Sequence, residues 1–95
     1  MIIRELIPAI EFCLHHNIEI SFIESLNHSG LIQVTRHEQQ IFVPIGELKK
    51  LETFVVLYRE LDINLEGIET VSYLLQKIEL LQERIQVLNN SLSIG

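Results

Sequence analysis

Positive charge is scarce. Seven Lys and Arg stand against thirteen Asp and Glu in 95 residues, a formal charge of −6 at pH 7, and the pI is near 5.1. A chain this acidic is repelled by phosphate backbones and by anionic lipid leaflets. Nucleic acid and membrane surfaces are therefore poor partners, and a basic protein is a good one. Cysteine occurs once, as Cys13, which excludes an intramolecular disulfide framework. The segment Met1-Ile2-Ile3-Arg4-Glu5 has no basic n-region. Together with the cysteine usage, that predicts a reducing, cytoplasmic setting. No apolar run approaches the roughly 18 residues of a spanning helix. Tryptophan is missing, and two Pro and four Gly are the only strong breakers. Long linkers and low-complexity segments are thus excluded, and the expectation is short loops and mostly helix.

What is present suits a globular chain: 47% hydrophobic and 21% charged residues. This length makes one domain, burying about 60–65% of its unfolded surface. Pro8 is placed to open a short helix running to about His16. Ile7, Ile10, Cys13 and Leu14 share one of its faces, and Asn17 is a stop. Ser21-Phe22-Ile23-Glu24 reads as a capping box for a second short helix ending near Gly30, a natural left-handed residue. Two short helices joined this tightly resemble a helix-turn-helix. The β-branched runs Leu31–Thr35 and Gln40–Val43, with polar Arg36-His37-Glu38-Gln39 between them, predict a small hairpin wing. Pro44 ends the second strand. Leu48, Leu51, Val55 and Tyr58, with Phe54 and Leu61 beside them, predict an amphipathic helix over 45–61. Asp62-Ile63-Asn64 breaks it, and Asn64 can cap the next helix.

The last segment carries the clearest pattern. Val71, Leu74, Ile78, Leu81, Ile85, Leu88 and Leu92 alternate at spacings of three and four, a heptad a/d seam. Val71, Ile78, Ile85 and Leu92 take the a positions, and Leu74, Leu81 and Leu88 the d positions. A helix over 65–92 is roughly 40 Å long, more than a small winged domain can cover. Its first turns can pack back on that domain, but its distal half needs a twin helix, so the seam is read as a homodimer interface. Lys77 and Arg84 at g face Gln82 and Asn89 at e. Those neutral pairs leave parallel and antiparallel pairing both open.

Catalytic and metal chemistry find no footing. GxSxG, a phosphate-cradling glycine loop and a zinc-type CxxC or HxxxH spacing are all missing. Cys13 falls on an apolar face and reads as a small core residue. The carboxylates, including Glu79–Glu83 and Glu66–Glu69, read as solvated helix surface. Neither an enzyme nor a cofactor is expected. DNA binding is the serious rival, because a helix-turn-helix followed by a wing is a DNA-reading order. Yet from Glu5 through Thr35 there is no Lys or Arg, and phosphate contacts supply most non-specific affinity. A DNA reader would have to rely on Arg4, Arg36, Lys49, Lys50 and Arg59.

Glu11-Phe12-Cys13-Leu14-His15 and Leu61-Asp62-Ile63-Asn64-Leu65-Glu66-Gly67-Ile68 resemble the chaperone-modulator (CbpM) family, itself similar to the winged-helix half of MerR-type regulators. Gly30-Leu31-Ile32 before the wing, Gln40-Ile41-Phe42-Val43 before the third helix and a Leu-rich terminal helix extend the resemblance over about residues 7–90. The resemblance implies a protein that binds the J-domain of a DnaJ-type, CbpA-like co-chaperone. It further implies inhibition of that partner's co-chaperone and DNA-binding activities, with no enzyme activity and no cofactor. The sequence departs from the MerR DNA-reading pattern. Phe22-Ile23-Glu24-Ser25-Leu26 stands where a MerR recognition helix usually has Arg followed by aromatics, and Gln40-Ile41-Phe42 where the wing usually has Arg beside Tyr.

The expectation is thus a mostly α, MerR-like winged helix-turn-helix over 1–64 with a small β-hairpin wing. A long C-terminal dimerisation helix over 65–95 continues it. Glu19 and Glu24 on the helix-turn-helix, and Glu52, Glu60 and Asp62 around the third helix, are candidate contacts for a basic helix of the partner. The alternatives are a MerR-like DNA-binding transcriptional regulator and a dimerisation module for some other partner.

Overall fold

The computed structural model describes residues 5–94. Three short strands and four helices follow in the order β1 (Leu6–Pro8), α1 (Ala9–His16), α2 (Ile20–His28), β2 (Thr35–His37), β3 (Gln40–Pro44), a single 3₁₀ turn (Ile45–Glu47), α3 (Leu48–Arg59) and α4 (Leu65–Ile94). The strands form one antiparallel sheet in the order β1-β3-β2, with Ile7 opposite Val43 and Arg36 opposite Ile41. This is the mostly α winged helix-turn-helix expected.

The helix-turn-helix forms with two local differences. Pro8 does not open α1 from within. It closes β1 and leaves Ala9 as the first helical residue. Pairing Pro8 with Phe42 turns α1 so that Ala9, Phe12 and Cys13 face the core. Ile10 and Leu14, expected on the buried face, are instead 62% and 78% exposed. Asn17 stops the helix as expected, in the left-handed region at φ 55°, and the Ile18 amide donates to the Cys13 carbonyl. The second difference is at α2, which starts at Ile20 with Glu19 as its extended N-cap. Ser21 therefore lies inside the helix. Its hydroxyl donates to Glu19 (3.3 Å), and the Ser21–Glu24 capping box does not form. Gly30 takes the left-handed conformation, φ 78°, foreseen for it, and Leu31 donates back to the Leu26 carbonyl.

The wing is displaced along the sequence. Leu31–Val34 is not a strand. Ile32 is fully buried there, and its carbonyl accepts from the Asn27 side-chain amide at 3.1 Å. The strand is the polar Thr35–His37, and Glu38 and Gln39 form a two-residue turn, both at positive φ (48° and 66°). Two left-handed centres match the right-handed twist of a tight hairpin, so the run expected as a loop supplies both the strand and the turn.

One core joins all the layers. Phe12 and Cys13 of α1, Phe22, Ile23 and Leu26 of α2, Ile32, Val43 of β3, Leu51, Phe54 and Val55 of α3, and Ile68 of α4 are buried together. The helix expected over 45–61 begins with the 3₁₀ turn and ends at Arg59, leaving Leu61 59% exposed. Tyr58 stacks on Phe22 with ring centres 4.3 Å apart. Asn64 caps α4 as expected, its side-chain oxygen accepting from the Gly67 amide at 2.9 Å.

Candidate interaction surfaces

Four surfaces gather the residues that could bind something. The first is the exposed face of α2 with the wing. Ser21, Glu24, Ser25, Asn27, His28 and Arg36 line a shallow depression there. Arg36 is its one cation, and the guanidinium sits 3.6 Å from the Glu24 carboxylate. Both partners are exposed, so the pair contributes little to stability. It does, however, pair the single positive charge of this face with a carboxylate of α2.

The second surface is the cleft between the α1–α2 turn and the end of α3. It brings together Glu19 and Asp62, far apart in sequence, beside Arg59. The Arg59 guanidinium donates to the Asn17 carbonyl, tying the end of α3 to the turn. Glu60, at the C-cap of α3, is exposed and does not line this cleft.

The third is a groove between α1 and α3, about 530 Å³, walled by Glu11 and Leu14 on one side and Leu48 and Glu52 on the other. Glu52 thus stands apart from Glu19, Glu24 and Asp62. Glu11 was not among the acidic candidates. It was missed because Leu14, one turn away, was assigned to the core.

The fourth is α4. Ile68 is buried and Val71 half-buried, and beyond them the helix leaves the body. Leu74, Ile78, Leu81, Ile85, Leu88 and Leu92 are 51%, 47%, 52%, 58%, 63% and 81% exposed. The expectation that the first turns of this helix, Val71, Leu74 and Ile78, pack back on the winged domain holds for half-buried Val71 and not for Leu74 and Ile78, because the helix has already left the body at those positions. Tyr73, Leu80 and Val87, every seventh residue on another face, are exposed too.

Among the described residues, no three His, Cys, Asp or Glu side chains converge as a metal site would need. His16 packs on the Phe12 ring (4.1 Å between centres) and His15 meets His16 edge-on. Burial pushes the Cys13 thiol above its ordinary pKa, which keeps it protonated and unreactive.

The order of elements and the position of the wing can be set beside known proteins. The family described as MerR HTH family regulatory protein matches residues 7–90. The chain belongs to the MerR HTH family. No curated protein and no solved structure matches it. In this MerR HTH chain α2 is the second helix of the helix-turn-helix, the one that enters a groove when such a motif reads DNA. Its exposed positions carry Ile20, Ser21, Glu24 and His28, and no Lys or Arg. Among the described residues no helix is long and apolar enough to cross a membrane.

Proposed function

We propose that this MerR HTH protein is a cytoplasmic adaptor of the chaperone-modulator (CbpM) type. It binds the J-domain of a DnaJ-type, CbpA-like co-chaperone, restrains that partner's co-chaperone and DNA-binding activities, and acts as a homodimer through the α4 seam. The observation that carries the reading is the α2–wing face. The helix that would read DNA has no cation, and the Arg36 beside it lies 3.6 Å from Glu24. Phosphate contacts fix register and supply most non-specific affinity to DNA readers, and this face offers almost none. The net charge of −6 favours a basic protein partner instead, raising on-rate and specificity by complementarity. The resemblance of the Glu11–His15 and Leu61–Ile68 segments to chaperone modulators supports a DnaJ-type co-chaperone as that partner. J-domains present a basic helix to their Hsp70 partner, and an acidic adaptor competes for it.

Calorimetry tests the proposal directly. The full chain is titrated with the J-domain of the DnaJ-type protein of the same genome at two salt concentrations. Saturable binding that weakens with salt is expected. Absence of binding, both to the J-domain and to the intact co-chaperone, refutes the reading. The rival, a DNA-binding regulator, draws on the family description itself. A shifted band at low salt and micromolar protein would favour it, and none is expected.

A further inference from the structure

Three acidic surfaces compete as the docking site for a basic partner, and the structure separates them. Glu24 faces its own cation, Arg36. Glu19 and Asp62 share their cleft with Arg59. The groove between α1 and α3 differs. Glu11 and Leu14 lie one turn apart on α1, whose wall also carries Phe12 and the imidazoles of His15 and His16, and Leu48 and Glu52 lie one turn apart on α3, so each wall includes a leucine and a carboxylate. Among the described residues no Lys or Arg lines it. Among the described residues Glu11 and Glu52 have no ion-pair partner, while nearby Lys50 is engaged by Glu47 at 3.6 Å. Leu14 is 78% exposed, an apolar side chain held out into solvent beside this groove.

We infer that this groove seats a basic amphipathic helix of the partner, with Leu14 and Leu48 against its apolar face and Glu11 and Glu52 against its flanking cations. The inference deepens the adaptor reading and rests on it. An apolar strip bounded by carboxylates matches an amphipathic helix whose apolar stripe is bordered by Lys and Arg. Desolvating the leucines contributes affinity, and the carboxylates fix orientation and reject acidic helices.

The test is calorimetry of the full-length protein with the same J-domain, using three variants whose folding is checked by circular dichroism. Glu11→Lys/Glu52→Lys reverses both groove charges. Glu19→Lys/Asp62→Lys makes the same change in net charge at the other cleft. Leu14→Ser removes the apolar contact at a position too exposed to matter for folding. The groove reversal is expected to weaken binding at least about tenfold, Leu14→Ser by about tenfold, and the control reversal by less than about threefold. If the wild type binds and the two reversals weaken it equally, attraction is diffuse and the groove assignment is overturned. It is equally overturned if Leu14→Ser binds like the wild type, or if Leu14→Ser alters the mass of the free protein, which would make a second copy the occupant. If the wild type does not bind, the adaptor reading fails and takes the groove with it.

Discussion

Replacing Ile85 and Leu88 by Asp isolates the α4 seam from everything else in the molecule. Both side chains are already more than half exposed on the single chain, at 58% and 63%, so the winged body has no stake in them. In a twin-helix seam each becomes buried. The pair removes about 1.2 fully exposed side chains per helix, or about 2.4 per dimer. At roughly 2 kcal/mol for each buried Leu or Ile, the loss is about 5 kcal/mol. That weakens association by more than about a thousandfold, at 1.4 kcal/mol per factor of ten, before the cost of drawing four carboxylates into an apolar seam. Light scattering after size exclusion at tens of micromolar gives the answer. The wild type is expected at twice the 11.0 kDa chain mass and the double variant at the chain mass. Near-unchanged thermal unfolding of the winged body is expected alongside. A wild type that runs as a monomer, or a variant that keeps the dimer mass, refutes the seam.

Leu26→Ala opens a void at a position with no solvent exposure. It should cost about 3 kcal/mol and lower the melting temperature by roughly 10–20 °C, read by calorimetry or circular dichroism. Gly67→Ala pits helix propensity against a clash, because the added Cβ would lie 2.6 Å from Ile63 Cγ2 and 3.3 Å from the capping Asn64 oxygen. The clash should win by about 1–2 kcal/mol. Adding Ile63→Ala should then cost less than the two single losses summed, and strict additivity would argue against the contact. Cys13 should resist iodoacetamide at pH 8 in the folded protein and react fully in denaturant, since burial both shields the thiol and pushes its pKa up. Rapid native alkylation, measured by mass spectrometry, would show that α1 opens.

The long-range plan was readable from pattern, and the misreadings share a cause. The long α4 helix follows from its sustained three-and-four spacing, and the Asn64 cap, the Asn17 stop and the left-handed Gly30 each depend on one residue and its chain neighbours, so local pattern is enough for them. Ile10 and Leu14 fall outside their expected face because the facing of α1 is set by β1, a three-residue strand too short to show a period, pairing with β3 more than thirty residues away, Leu6 with Pro44 and Pro8 with Phe42. The wing slipped because Ile32 is β-branched for burial rather than for pairing, while Glu38 and Gln39 adopt left-handed conformations usually advertised by Asn or Gly. For the same reason the α1–α3 groove was invisible. Glu11 became a candidate only once Leu14 was known to point outward.

The exposure of α4 ties the protein's shape to its abundance. Ile68 and the half-buried Val71 and Ser72 anchor the helix, and from Tyr73 to Leu92 every side chain is exposed. Helical segments in water draw most of their stability from packing rather than propensity, so the far part of α4 is at its weakest in a lone chain and firmest beside a twin. If α4 pairs with a twin as proposed, order in this rod follows chain concentration by mass action. On that pairing a scarce protein would present a fraying end to proteases and an abundant one would not, so turnover would fall as the protein accumulates.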